Sequence, residues 1–140
     1  MKKKGKSKMI GWIIVLVILT AAGIPAGIGI SKLNKEHAEA RNVSLGGVDF
    51  TTLTDGEYTG SYEGGMFKWR ANTVKVVVSE GKLSEIEPIS GVVDQGKGST
   101  KMLYDRVIAN QSLMVDTISG ATLTSKGYLK AVEIALSQAN

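Results

Sequence analysis

Residues 116–125 combine side chains and a spacing that suit the binding of a phosphate group. The stretch reads Asp-Thr-Ile-Ser-Gly-Ala-Thr-Leu-Thr-Ser and ends where the last amphipathic helix of the chain is predicted to begin. Backbone N–H groups at a helix start can converge on one anion together with a hydroxyl group. The same residue types also form an ordinary helix cap. The residues alone therefore leave a phosphate cradle and a structural cap as alternatives.

Two helices are predicted on either side of this stretch. Apolar residues at helical spacing predict one helix over about residues 123–138 and another over about 100–111. Ser99 or Thr100 is the predicted N-cap of the earlier helix, because a hydroxyl there can accept a bond from the first turn.

A β-hairpin is predicted over residues 73–89, upstream of both helices. Valines alternate with other residues over 73–79, and Glu80-Gly81 is a tight-turn signal. The returning strand breaks strict alternation, which predicts a β-bulge near Ser84. Strands followed by helices indicate an α+β fold, in which an antiparallel sheet is packed by the two helices.

The distribution of charge argues against a nucleic-acid partner. The whole chain has a net charge of +4, but five of its 17 basic residues are lysines within the first eight positions. From Arg41 onward there are 7 Lys and 3 Arg against 11 acidic residues. A nearly neutral domain offers no basic face for DNA or RNA.

Most catalytic and metal-binding constellations are excluded by what the chain lacks. It has no cysteine, which excludes disulfides, thiolate metal sites and thiol nucleophiles. His37 is the single histidine, so a histidine-based triad or zinc site is not expected. Because His37 lies in a charged stretch, we interpret it as a solvated linker residue.

The N-terminal segment predicts a transmembrane helix. Residues 9–30 carry no charge, and as a helix they would be roughly 33 Å long, enough to cross a hydrocarbon core of about 30 Å. Because more lysines precede the span than follow it, the N-terminus is expected inside and everything after residue 31 outside. A cleaved signal peptide is the alternative, with a small-x-small site at 38–40.

The predicted domain organisation follows from these segments. Residues 1–8 form a basic cytoplasmic tail, and residues 9–30 a membrane-retained signal anchor. Residues 31–53 are polar and glycine-containing, and we interpret them as a linker. The compact domain is expected over residues 54–140.

Several segments of this domain occur in the order typical of a known family. They are Asp-Gly-Glu-Tyr-Thr-Gly at 55–60, the valine-rich hairpin with Gly-Lys-Leu at 81–83, residues 108–112, and the stretch at 115–125. On these residues the chain resembles the FMN-binding domain family, from about residue 55 to residue 138. That module also occurs in the flavin-carrying C and G subunits of bacterial sodium-pumping quinone reductases and their Rnf relatives.

The resemblance implies which residues bind the cofactor. In the family, a flavin transferase attaches FMN through a phosphoester to the last threonine of Asp-x-x-Ser/Thr-Gly-Ala-Thr. Carried over to this sequence, that threonine is Thr122. The other cofactor-binding residues expected are Asp116, Ser119, Gly120, Ala121, Leu123, Thr124 and Ser125.

Contacts to the flavin ring are less constrained by the sequence. The aromatic and sulfur-containing candidates are Tyr62, Phe67, Trp69, Tyr104 and Met114, each of which is also an ordinary core residue type. Lys97 and Lys101 are candidates for phosphate or ribityl oxygens, with solvated loop lysines as the alternative. Longer relatives carry a Pro-Gly-rich loop near the flavin, whereas residues 91–99 here contain no proline.

The expected function is that of a membrane-anchored flavoprotein facing outside. Its FMN, bound covalently at Thr122, would carry electrons from a membrane quinone-linked donor to an external or complex-bound acceptor. The expected partners are that donor, the flavin transferase and membrane lipid, with no nucleic acid. We expect a carrier more than a complete enzyme, because no proton-transfer or nucleophile constellation is visible. The alternatives are a redox sensor that binds FMN non-covalently and a structural subunit of a membrane complex.

Overall fold

The computed structural model of the chain describes residues 5–92 and 98–140. Helix α1 spans Gly5–Arg41, and it includes residues of two compact units. The first unit ends at Lys35, and the second comprises Glu36–Asn140. The last turns of α1 therefore belong to the folded domain, which is the unit that contains the candidate site.

The prediction of a transmembrane helix over residues 9–30 is wrong. Within the residues that the structure describes, no helix combines the length and the apolar character needed to cross a bilayer. The uncharged residues do not form an element of their own. They are part of a single helix of 37 residues that continues through Lys32, Lys35 and Glu36 to Arg41.

The α+β architecture is present, with a three-stranded antiparallel sheet. Strand β1 spans Gly56–Tyr62, β2 spans Asn72–Ser79 and β3 spans Lys82–Ser90, in the spatial order β1-β2-β3. Alternate residues of β2 are buried, as valine-rich alternation predicts. The bulge near Ser84 is confirmed, because Val77 pairs with Glu85 whereas Val78 pairs with Leu83.

The two C-terminal helices cover the sheet. Helix α2 spans Ser99–Asn110 and packs against β3, and helix α3 spans Thr122–Leu136 and packs against β1 and β2. The N-cap of α2 is Gly98 in the left-handed region and not Ser99 or Thr100, so that detail of the prediction is wrong. The core is formed by the inner side chains of β2, the start of β3, and the facing sides of both helices.

A close approach between α3 and β1 sets the position of the last helix. A Cβ atom at Gly60 would lie 2.1 Å from the carbonyl oxygen of Ala131 and 2.4 Å from the amide nitrogen of Ala135. Only glycine allows the two backbones to approach this closely. The side-chain amide of Gln138 donates to the backbone carbonyl of Thr59 at 2.7 Å. The start of α3 is therefore held in a defined place over the sheet.

A buried carboxylate on α3 anchors the chain segment that precedes the sheet. Glu133 accepts hydrogen bonds from the amides of Gly46 and Gly47 at 2.9 and 2.8 Å, and it pairs with Lys130. Burial alone would raise the pKa of Glu133, but the bonds from Lys130 and from the two amides outweigh it and hold that pKa below its usual value. The contact therefore stabilises the fold only while Glu133 is ionised.

Glu133→Gln is expected to lower the free energy of unfolding at pH 7 by about 1–3 kcal/mol, because charge-assisted bonds to buried groups are lost. The wild-type advantage should be complete above the unfolded-state pKa of about 4.3 and should disappear as the pH falls through the lower folded-state pKa. Urea unfolding of both chains between pH 3 and pH 7 measures this difference.

The control for this experiment is Glu87→Gln, which removes a carboxylate from an exposed pair with Lys75. An exposed pair contributes little, so this variant should change stability by less than about 1 kcal/mol. A difference between wild type and Glu133→Gln that is the same at pH 3 and pH 7 would contradict the role given to the ionised carboxylate.

Candidate functional site

The predicted phosphate-binding stretch begins with a tight turn. The amide of Ala121 donates to the carbonyl of Ile118 at 2.9 Å, with Ser119 and Gly120 as the two central residues. Gly120 has φ +77°, which a type II turn requires at that position. A Cβ atom there would meet nothing within 4 Å, so glycine is needed for the backbone conformation and not for space.

Helix α3 begins immediately after this turn without a side-chain cap. Ala121 is its N-cap residue, and the methyl side chain of Ala121 offers no acceptor. The first helical bond runs from the amide of Ser125 to the backbone carbonyl of Ala121 at 2.8 Å. The amides of residues 122–124 precede that bond and have no acceptor within the helix. Thr122 is the first helical residue and is exposed. A hydroxyl and a set of amides therefore stand together at the positive end of the helix dipole.

The start of α3 opens into a pocket with a volume of about 370 Å³. Two basic side chains from elsewhere in the domain, those of His37 and Arg70, also line this pocket. Of the eight residues predicted for the cofactor site, five also line it, namely Gly120, Ala121, Thr122, Leu123 and Thr124.

The other three predicted residues lie outside the pocket lining. Ser125 is buried, and its hydroxyl accepts a hydrogen bond from the amide of Ile118 at 3.2 Å, so it holds the turn in shape. The side chain of Asp116 is exposed, and its backbone carbonyl accepts a hydrogen bond from Arg106 at 2.6 Å. Ser119 is exposed at the tip of the turn. These positions shape or flank the pocket.

Arg70 reaches the pocket because the loop that carries it is held by the end of α1. The loop joins β1 to β2, and its amides at Met66 and Phe67 donate to the carboxylates of Glu39 and Glu36 at 2.8 and 3.2 Å. Glu36 is only 1% exposed. It also pairs with the guanidinium of Arg70 at 3.5 Å.

The electrostatics at Arg70 favour an added anion. One terminal nitrogen of its guanidinium faces Glu36, but Nε is buried and has no hydrogen-bond partner. The amides of residues 122–124, which have no acceptor within α3, and the side chain of His37 lie around the same pocket. This arrangement suits a phosphate group.

Sequence reasoning missed both Arg70 and His37 as residues of this site. His37 was interpreted as a solvated linker residue, but it is half-buried on α1 and lines the pocket beside Thr122. Neither residue belongs to a recognisable motif. The signal that was available is composition, because residues 33–41 contain neither glycine nor proline and are rich in the helix-forming residues Ala, Glu, Lys and Leu.

None of the candidates for flavin-ring contacts lines this pocket. Tyr62 packs near Gly127 on α3, and Phe67 lies against Trp69 with ring centroids 5.6 Å apart. Tyr104 is buried in a different cavity, and Met114 is 77% exposed. Lys101 pairs with Asp105 on α2, and Lys97 lies outside the described residues.

The fold and the pocket define a small α+β module with an anion-binding helix start. The chain belongs to the FMN-binding domain family, whose model matches residues 47–137. Its cofactor is therefore FMN. The pocket at the start of α3 suits the phosphate of FMN, because Arg70 lines it and the first amides of α3 have no acceptor within the helix.

One relative with a known function matches part of the chain. The urocanate reductase of Eggerthella lenta is 33% identical over 66 residues, which are 46% of this chain and 11% of the relative. The chain thus spans about a tenth of the length of that relative. No solved structure matches the chain significantly.

Arg70→Gln is expected to weaken the binding of FMN to the full chain roughly 10-fold to 100-fold, because a charge-assisted bond to phosphate is lost. Riboflavin, which lacks the phosphate, should bind equally well to both proteins. Quenching of flavin fluorescence in titrations at one fixed salt concentration measures both affinities.

Lys68→Gln is the matched control, since it removes an exposed positive charge from the same loop without touching the pocket lining. It should leave the affinity for FMN within about 2-fold, as expected for a screened surface charge. An equal loss of riboflavin and FMN binding in Arg70→Gln would contradict a phosphate contact and would indicate only a structural role for Arg70.

Proposed function

We propose that this protein is an electron carrier whose FMN is joined through a phosphoester to Oγ1 of Thr122. The observation that supports it is the position of this hydroxyl. It is exposed, it belongs to the first residue of α3, and it lies beside Arg70 in a pocket suited to phosphate. Attachment there keeps the negative charge of the phosphoester next to the helix amides.

Attachment requires a partner enzyme and an activated flavin nucleotide. A flavin transferase would form the bond between Oγ1 of Thr122 and the phosphorus atom. The bond that breaks is the phosphoanhydride of the activated nucleotide, whose leaving group keeps the electron pair. The hydroxyl proton passes to a base of the transferase. Ser119 and Gly120 at the tip of the turn are exposed, as is Thr122, which leaves the hydroxyl accessible to such a partner.

The bound flavin supplies one-electron or two-electron chemistry, while this chain holds its phosphate and orients it. We propose a quinone-linked donor and, as acceptor, a partner reductase. The acceptor is supported by the relative, in which a segment similar to this domain makes up 11% of a protein named as a reductase.

Thr122→Ala is expected to abolish covalent flavin, because the accepting oxygen is gone. The full chain is coexpressed with an active flavin transferase, denatured, and inspected for flavin fluorescence in the protein band. Thr122→Ser should retain a fluorescent band, because it preserves the hydroxyl at the start of α3.

Thr124→Ala is the matched control, since Thr124 lines the same pocket and lies two residues further along α3. It should keep the fluorescence of wild type. A colourless wild-type band from cells in which the transferase labels another substrate would contradict covalent attachment. If that wild-type protein still bound FMN in its native state, the non-covalent redox sensor would be the better description.

We further propose that the domain acts outside the cytoplasm. The support is the sequence order of a lysine cluster followed by an uncharged run, which is typical of export signals. Protease added to intact spheroplasts should degrade the domain while a cytoplasmic marker survives. Full protection of the domain until the cells are lysed would contradict this location.

A further inference from the structure

The permanent positive charge in the pocket at the start of α3 is already balanced. Arg70 lines this pocket, and its guanidinium pairs at 3.5 Å with the carboxylate of Glu36, which is 1% exposed. The field of a cation is opposed by that of an anion held beside it. The guanidinium can still donate hydrogen bonds to a phosphate, but the charge of a phosphate needs a further cation to balance it.

His37 is the side chain of the lining that can supply this further charge. It is half-buried on the last turns of α1 and lines the pocket together with Thr122. The described lining residues at 120–124 have no ionisable side chain. A histidine in water titrates near about pH 6.5, so the charges around it decide whether it is a cation at neutral pH.

Six titratable or charged side chains surround this part of the domain. They are Tyr62 from β1, Arg70 from the β1–β2 loop, Lys126 from α3, and Glu36, Glu39 and Arg41 from α1.

The negative charges among them are directed to the β1–β2 loop. The carboxylates of Glu36 and Glu39 accept hydrogen bonds from loop amides at 3.2 and 2.8 Å, and neither residue lines the pocket. Burial, and after it the charge of Glu36, raises the pKa of Tyr62, so this phenol is uncharged. Lys126 donates to the backbone carbonyl of Arg41 at 3.0 Å. An anion in the pocket therefore brings a negative charge that no residue of the described lining supplies.

We propose that His37 binds the phosphate of FMN as an imidazolium, so that binding of the phosphate takes up a proton at this side chain. Solvent supplies the proton, a ring nitrogen accepts it, and no bond of the flavin changes. The inference rests on the proposed position of the phosphate at the start of α3, but not on its covalent bond to Thr122. It adds that the affinity of the site for FMN depends on pH.

NMR spectroscopy of the imidazole tests this proton uptake directly. His37 is the single histidine of the chain, so the full chain purified without a polyhistidine tag gives one Cε1–H signal. The signal is followed from about pH 5 to about pH 9 in the free protein and with saturating riboflavin or FMN. FMN should move the titration midpoint to higher pH by at least about one unit, because a nearby negative charge favours the imidazolium. Riboflavin, which lacks the phosphate, should not move it, and equal midpoints with both ligands would overturn the proposal.

Two variants separate the charge of His37 from its packing. His37→Gln should weaken FMN binding roughly 3-fold to 10-fold at about pH 6.5 but less than about 2-fold at about pH 8.5, where the wild-type imidazole is largely neutral. His37→Lys should bind FMN at both pH values about as tightly as wild type does at the lower one, because its charge persists. The phosphate itself is mostly a dianion over this range and contributes little to the difference. A loss that is the same at both pH values in both variants would overturn the proposal.

Arg41→Gln is the matched control, since it removes an exposed cation four residues further along α1 and outside the pocket lining. It should leave the affinity for FMN within about 2-fold and preserve its dependence on pH. All these proteins are prepared without covalent flavin, so a failure of attachment in the Thr122 experiment would leave the results intact. FMN binding to wild type that is no tighter than riboflavin binding at about pH 6.5 would overturn the role of His37, even if covalent attachment to Thr122 were observed.

Discussion

The carboxylate of Glu36 is the contact on which the geometry of the pocket at the start of α3 depends. It is 1% exposed, and it accepts a hydrogen bond from the β1–β2 loop while it pairs with Arg70. A buried charge is tolerated only when it is paired and hydrogen-bonded. These requirements fix the last turns of α1, the loop and the arginine relative to one another. Loss of this carboxylate would remove the ion pair that orients the guanidinium of Arg70.

The sheet supplies the other half of the pocket by holding α3. The glycine at position 60 lets the helix lie directly on β1, and the side-chain amide of Asn72 donates to the carbonyl of Gly127 at 3.2 Å. The register of α3 along the sheet is thereby defined, and with it the position of its first turn. The hydroxyl of Thr122 is consequently presented by a rigid element, whereas Ser125 and Gly120 determine only the shape of the entering turn.

Two cavities with separate linings lie in one small domain. The pocket at the start of α3 is lined by Arg70 and His37 and by amides without acceptors. Among the residues that the structure describes, the cavity between β3 and α2 is lined by apolar side chains such as Ile86 and Ile108 together with Glu85 and the ion pair of Lys101 and Asp105.

The sequence by itself determined the elements and the motif. Hairpin, bulge and both C-terminal helices follow from local periodicity and turn chemistry, and the residues at 116–125 carry the family resemblance within one short stretch. Other features depended on contacts that local patterns do not encode. The end of α1 joins the domain through Glu36, and Arg70 and His37 meet Thr122 only because residues far apart in the chain pack together. A run without charge likewise predicted a membrane span, whereas the structure describes one longer helix that continues into charged turns. Periodicity and motifs report on neighbours within a few residues, and the tertiary structure alone decided which distant charges share a pocket.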